Sequence, residues 1–543
     1  MIEEVAGVAD RSRIDCDVCI VGAGAAGITV ALELEATGAR ICLLDAGGLA
    51  YRRRAQALLD GEVVGDSYPP LKETRFAGLG GATRIWGGWC RPLDPIDFTE
   101  RSWVPNSGWP FGHDSLRPHY QRAHAICGLG EVDYDPPAWA KRFGAEHLKL
   151  AGDDVVTTMF QVSPTRFGSR YRAALAATPN IRVLLGAVAL RCRAAPTSDR
   201  LERVEVGALD GRRFAVAARL FVLATGGIEN ARLLLLSGPT PETSIGNARG
   251  LVGRYFTEHP FMEPGSFLPR DPAISLRFYF PARTDDMPPD ANVRAALSLG
   301  RPALEREGLL NAAVFFLPAY EAHPVFTDPA VKAMLELWEK VRGRGVPGGN
   351  CDHVRRALRA PHRLVHAAWR RIAVCPGRTS SWRLRAFFEA ESLHHNRVRL
   401  AAGKDALDRP LPRVEWRLSE RDLASMRRVL ALHDQALAGA GHGRLALAFD
   451  DTAEAWRAAA FGGKHHMGTT RMHASPSAGV VDADCRVHGV RNLYVAGSSV
   501  FPTSGFANPT LTIVALAVRL AEHLKGRLRD QEPSREARPT TTG

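Results

Sequence analysis

The buried-strand pattern Asp17-Val-Cys-Ile-Val21, apolar from Val18, runs without a break into Gly22-x-Gly24-x-x-Gly27, and helix-forming residues continue over 28–37. A buried strand that enters a glycine turn and leaves as a helix is a βα unit, and its next strand, read over 40–44, is expected to pair in parallel. The three glycines serve a tight turn, close approach of backbone to a pyrophosphate, and packing of helix on sheet. Asp45 lies 18 residues beyond Gly27, at the end of the second strand, where a carboxylate can accept hydrogen bonds from a ribose diol. A glycine turn without a ligand is the plainer reading. The strand, the helix and the acid together argue for a dinucleotide.

A chain of 543 residues has room for three or four domain-sized units or fewer large ones. With 45% hydrophobic and 24% charged residues, wholesale disorder is excluded. The net charge of +12 suits acidic partners without requiring one, and no motif calls for nucleic acid. The longest apolar run, 511–518, stops at Arg519, short of a membrane span. The N-terminus shows neither a basic region followed by an apolar stretch nor a twin arginine, so a cytoplasmic location is the default expectation. Nine dispersed cysteines do not form a disulfide framework. Cys16 and Cys19 have C-x-x-C spacing but sit in a strand, where residues three apart face opposite sides.

Further along, 181–185 and 188–193 read as short strands, and 220–224 as a buried strand entering Thr225-Gly-Gly227 and a helix through Leu236. Between 263 and 460 the texture changes to proline-punctuated and alternating segments, the mark of an inserted α+β domain. Within it, Asp328-Pro329 signals a helix start, and a basic helical insertion is read over 328–375. Its arginine-rich part, 352–372, is amphipathic with a break at Pro361. A solvated basic face is the plain reading, and weak contact with a membrane surface or an acidic partner is the other. The expected organisation is a first nucleotide-binding part over 12–262 with a covering loop at 65–100, a substrate domain over 263–460, a last nucleotide-binding part over 461–528, and a disordered tail over 529–543.

Two more constellations carry chemistry. In Gly78-Leu-Gly-Gly-Ala-Thr-Arg-Ile-Trp-Gly-Gly88, five glycines surround Trp86, a composition that lets backbone approach a flat ligand. His465-His-Met-Gly-Thr-Thr-Arg471 precedes a strand at 492–496, then Gly497-Ser-Ser499, then Asn508-Pro-Thr510. Asn508 followed by Pro509 predicts an N-cap and first helical position. That helix start, rich in free amides, suits an anionic ligand portion, although Asn508 acting only as a cap is an equally simple reading. A metal site at His465, His466 and His473 lacks companion motifs, so no metal is expected.

Taken together, these segments resemble the glucose-methanol-choline (GMC) family of FAD-dependent oxidoreductases, nearest its bacterial sugar-oxidising and pyranose oxidase-like branch. The likeness rests on the fingerprint, the Gly80-Gly81 loop, Ala224-Thr-Gly-Gly-Ile-Glu-Asn-Ala-Arg-Leu-Leu234, Val252-Gly-Arg-Tyr-Phe-Thr-Glu-His-Pro260 and the run from His465. It implies an α/β fold in which a discontinuous Rossmann-type FAD-binding domain carries an inserted α+β substrate domain. It also implies FAD contacts at Gly22, Gly24, Gly27 and Asp45, at Gly80, Gly81 and Thr83 in the loop, at Val188 on the adenine side, and at Gly497, Asn508 and Thr510. The family's catalytic histidine falls on His465, with Asn508 as its partner 43 residues later and His466 as the rival base. Ile85 matches the position where some members attach FAD covalently, and isoleucine cannot form that bond, so FAD is expected to be non-covalent.

The expected activity is oxidation of a hydroxyl on a sugar, glycoside or aminosugar, by hydride transfer to flavin N5 with His465 as base. No c-type haem or iron-sulfur motif is present, so electrons are expected to pass to an external acceptor, dioxygen or a quinone-like molecule. The competing readings are a lyase or photodecarboxylase of the same fold, and a non-catalytic flavin-binding protein.

Overall fold

The computed structural model describes residues 1–194, 199–280, 292–318, 334 and 381–530. The expected basic insertion and the tail beyond residue 530 lie outside these residues.

An eight-stranded sheet forms the first layer; seven strands follow the order Ile2–Glu4, Ile181–Leu185, Ile41–Asp45, Arg13–Val21, Arg213–Leu223, Leu201–Gly207, Val188–Ala194, and the eighth, Leu493–Val495, pairs beside Arg213–Leu223. Its first five strands are parallel, and the last two attach antiparallel. All five residues of Ile41–Asp45 are buried, the continuous apolar pattern of a parallel strand covered on both faces. The helix Ala25–Glu33 and a short 3-10 turn, Glu35–Thr37, replace the single helix expected over 28–37, and Gly38 closes it at φ 70°. Leu493–Val495 pairs in parallel with Phe221–Leu223, so the C-terminal region completes a sheet that the first residues begin. The final helix, Thr510–Arg529, packs on Ala25–Glu33 and on Arg117–Cys127, and most of its residues from Leu511 to Ala521 are buried. A Rossmann-type nucleotide-binding domain is therefore assembled from both ends of the chain.

A nine-stranded sheet forms the second layer. Its pairings are antiparallel, and Trp382–Phe388 alternates buried and half-buried positions over its first five residues. It is not confined to 263–460, because Trp89–Cys90, Val155–Val162, Pro260–Met262 and Phe461–Gly462 also belong to it. These flanking strands bring the large sheet down over the glycine-rich edge of the first layer. A small third sheet pairs Arg397–Lys404, Pro410–Trp416 and Glu62–Gly65. Among the described residues no helix is long and apolar enough to cross a membrane.

Candidate active site

The fingerprint glycines divide their work between protein and ligand. Gly22 holds φ 106°, and a Cβ there would stand 2.5 Å from the Ala224 carbonyl. A Cβ on Gly27 would reach 1.9 Å from the Gly22 carbonyl, so this glycine lets the helix lie on the turn. Gly24 differs: a Cβ there would meet nothing within 4 Å, and the residue borders a cavity of about 760 Å³. Gly497, at φ 114°, likewise borders that cavity with open space around it. This bare-backbone groove beside the start of a helix fits an extended, pyrophosphate-containing ligand.

Asp45 ends the second parallel strand at the cavity wall. Its carboxylate accepts the amides of Gly47, at 2.8 Å, and Ala23, at 3.0 Å. Burial nevertheless raises its pKa, the two amides only partly offsetting the loss of water. Gly22, Gly81, Thr83, Val188, Asn508 and Thr510 line the same cavity. Gly27 and Gly80 stand behind it, and a Cβ on Gly80 would come within 2.4 Å of the Gly168 amide. Ile85 also faces the cavity, and the lining residues from Gly81 to Trp89 include no histidine, cysteine or tyrosine.

At the other end of the cavity, the chain leaves Phe461–Gly462, turns through Lys464 at φ 72°, and delivers His465. The His465 amide donates to Glu258 Oε1 at 2.5 Å. Its ring Nε2 lies 3.3 Å from Asn508 Nδ2, and its Nδ1 lies 2.9 Å from Nδ1 of His259. Burial holds His465 well below the usual imidazole range, with His259 and His466 adding to the effect. Asn508 is not the expected N-cap. The last helix begins at Thr510, Pro509 occupies the cap position, and no side chain caps it. The Asn508 amide instead turns to His465, with its Oδ1 buried and without a partner among the described residues.

His466, adjacent in sequence, also lines the cavity, but its ring has different neighbours. Its ring packs against Tyr68 and Phe256, with centroids 6.1 and 6.2 Å away. Burial, aided by the charges of Arg75 and Lys464, pushes it down to about 3. Sequence reasoning gave no role to Glu258, His259 or Tyr68. Glu258 also accepts from the Tyr68 hydroxyl, and burial lifts its carboxyl to about 7. The available signal was the acid-imidazole pair immediately before Pro260, and both side chains are fully buried in the structure.

The nine-stranded sheet roofs this end. Trp89, Phe261, Arg385 and Phe387 line the cavity together with His465. The Phe387 ring lies 6.5 Å from His465, 6.0 Å from Trp89 and 4.8 Å from Phe261. Arg385 lies over Phe261 at 5.3 Å and pairs with Glu263 at 2.7 Å. An imidazole with a neighbouring amide, walled by aromatic rings, can hold an alcohol oxygen and accept its proton.

Comparison with known proteins agrees with this layout. A family described as "GMC oxidoreductase" matches residues 392–517, and one described as "FAD dependent oxidoreductase" matches 17–285. The chain is 26% identical to 6'''-hydroxyparomomycin C oxidase of Streptomyces lividus, covering 95% of this chain and 93% of the relative. It is 25% identical to 2-methyl-1,2-propanediol dehydrogenase of Mycolicibacterium austroafricanum, covering 95% and 96%. Pyridoxine 4-oxidase from Mesorbium loti superposes with a TM-score of 0.56 at 17% identity, covering 94% of this chain and 99% of that one. The two matched segments build the FAD-type groove and the His465 end, so the chain joins an FAD-dependent oxidoreductase domain to a GMC oxidoreductase C-terminal domain and is an FAD-dependent oxidoreductase.

Proposed function

We propose that this enzyme oxidises a hydroxyl of a sugar, glycoside or aminosugar to the carbonyl, with His465 taking the hydroxyl proton and Asn508 holding the same oxygen. The observation that carries this reading is the continuity of one cavity from Asp45 and Gly24 to His465 and Asn508. Bound FAD supplies the acceptor for the hydride that leaves the alcohol carbon. Gly22, Gly24 and Gly497 would leave room for its phosphates, Asp45 would take its ribose, Val188 would face the adenine, and Gly81, Thr83 and Thr510 would complete the cradle. Gly27 and Gly80 would support that cradle from behind. With Ile85 at the loop position, FAD is held non-covalently.

Burial keeps His465 neutral at ordinary pH, so its lone pair is available when the hydroxyl proton leaves. Asn508 can donate to the alcohol oxygen and fix the carbon's orientation. The ring faces of Trp89, Phe261 and Phe387 suit the apolar face of a pyranose, and Arg385 can donate to its hydroxyls. The aminoglycoside oxidase among the relatives supports the same substrate class. The similarity to a diol dehydrogenase supports a second reading, a small branched diol. Electrons pass to an external acceptor, dioxygen or a quinone-like molecule. We place the enzyme in the cytoplasm, a reading supported by seven buried, free cysteines among the described residues.

The test is anaerobic mixing of the holoenzyme with a panel of sugars, glycosides, aminoglycosides and short diols, followed by air or a quinone. Bleaching by a carbohydrate is expected. Bleaching by the diol alone would move the substrate class to the second reading. Failure of every alcohol to reduce the flavin would overturn the oxidoreductase reading in favour of a lyase or photodecarboxylase.

A further inference from the structure

His259 is fully buried beside His465 and does not line the cavity. Its Nε2 lies 3.4 Å from the Ser504 carbonyl oxygen, and its Nδ1 lies 2.9 Å from His465 Nδ1. A carbonyl can only accept, so the proton of a neutral His259 ring belongs on Nε2. Burial lowers this histidine to about 4, which keeps it neutral at ordinary pH. Its Nδ1 is then a bare lone pair, and the neighbouring His465 Nδ1 must carry the hydrogen that bridges the two rings. His465, itself neutral, is left with its lone pair on Nε2, facing the Asn508 amide at 3.3 Å.

We propose that His259 is a positioning residue that fixes His465 in the Nδ1-protonated tautomer, so that its basic nitrogen faces the substrate. The inference rests on the proposed role of His465 and adds a fixed order of donors: His465 Nδ1–H to His259 Nδ1, and His259 Nε2–H to Ser504 O. In the opposite order, His259 Nε2 and the Ser504 oxygen would be two acceptors face to face. His465 would also present N–H rather than a lone pair to the alcohol. When the alcohol O–H breaks, the new bond is His465 Nε2–H, and the imidazolium keeps its Nδ1–H bond to His259. That bond becomes charge-assisted and therefore stronger as the proton moves. Glu258 holds both histidine backbones, through the amide of His465 at 2.5 Å and that of His259 at 3.0 Å. The other charged group acting on His259, Glu389, is paired with Arg101.

Two substitutions separate positioning from packing. Asparagine at 259 keeps an acceptor where Nδ1 stands, whereas leucine keeps bulk and loses the acceptor. His259→Leu should slow flavin reduction by about tenfold or more while FAD content is unchanged, and His259→Asn should stay within about threefold of the parent enzyme. Equal rates in the two variants, whether both fast or both slow, would overturn the proposal. An activity-independent measurement is the ¹⁵N spectrum of the histidine-labelled holoenzyme, with His465 assigned by comparison with His465→Ala. The expected pattern is a protonated Nδ1 and a bare Nε2, and a protonated Nε2 at neutral pH would overturn the proposal. If His465→Ala reduces its flavin at full speed, the proposed function fails, while the ¹⁵N spectrum still decides the tautomer.

Discussion

Asn508 Nδ2 stands 3.3 Å from His465 Nε2, joining a residue just before the last helix to one just after a strand of the nine-stranded sheet. The contact makes the role of each residue separable by substitution. His465→Ala should keep its FAD and slow reduction of the flavin by an alcohol roughly 100-fold or more, the usual contribution of a positioned base. His466→Ala should lose much less, because its ring packs against Tyr68 and Phe256. Rapid-mixing kinetics on the two variants decides the matter. If His466→Ala is the crippled one, the base has been placed one residue too early.

Asn508→Ala should also slow flavin reduction, through loss of a donor to the substrate oxygen. Its thermal stability should stay close to that of the parent, since the side chain caps no helix. A clear drop in Tm with an undiminished rate would show that the amide serves the fold and not the reaction.

The glycine turn supplies a paired test of the nucleotide end. Gly24 has ordinary extended backbone at φ −84°, and a Cβ there meets nothing within 4 Å. Gly24→Ala should therefore fold and melt normally yet retain little FAD. Gly27→Ala drives a methyl group to 1.9 Å from the Gly22 carbonyl, so it should lower yield and Tm as well. Flavin absorbance per protein, set beside the melting temperature, separates the two, and full FAD retention in Gly24→Ala would remove that residue from the cradle.

Much of this was legible from the chain because its signals are local. The run 17–27 declares its strand, turn and helix through residue types within one βα unit, and Asp45 follows at a spacing set by the helix length. Asn508 was misread for a related reason. Asn-Pro ahead of an apolar run carries a strong local capping signal, and only the tertiary position of His465 draws the amide away. The His259–His465 contact spans 206 residues, and its donor order depends on a carbonyl at Ser504 that has no side-chain signature. The reach of the second sheet into Trp89–Cys90 and Val155–Val162 was hidden similarly, because antiparallel partners there lie far apart in sequence.

Ile85 faces the cavity, and isoleucine has no nucleophile with which to hold FAD covalently. Acid precipitation of the holoenzyme should leave a colourless pellet and a yellow supernatant. Flavin that stays with the pellet would show a covalent link from another residue.

The buried Glu258 yields a pH prediction with a definite sign. Its carboxyl is raised from 4.5 to about 7, chiefly by burial, while the Tyr68 hydroxyl and the His465 and His259 amides act against the rise. Across that window the folded protein binds more protons than the unfolded chain. The contribution of Glu258 to stability is therefore fully present below pH 4.5 and is lost as the pH rises to about 7. Glu258→Gln removes this titration while keeping an oxygen to accept the two amides. The variant's Tm relative to the parent should climb as the pH is raised through the window and level off above about 7. Paired melting curves at a series of pH values test this. A difference that stays constant would mean that Glu258 is already ionised throughout, which would place a fixed negative charge beneath His259 and His465.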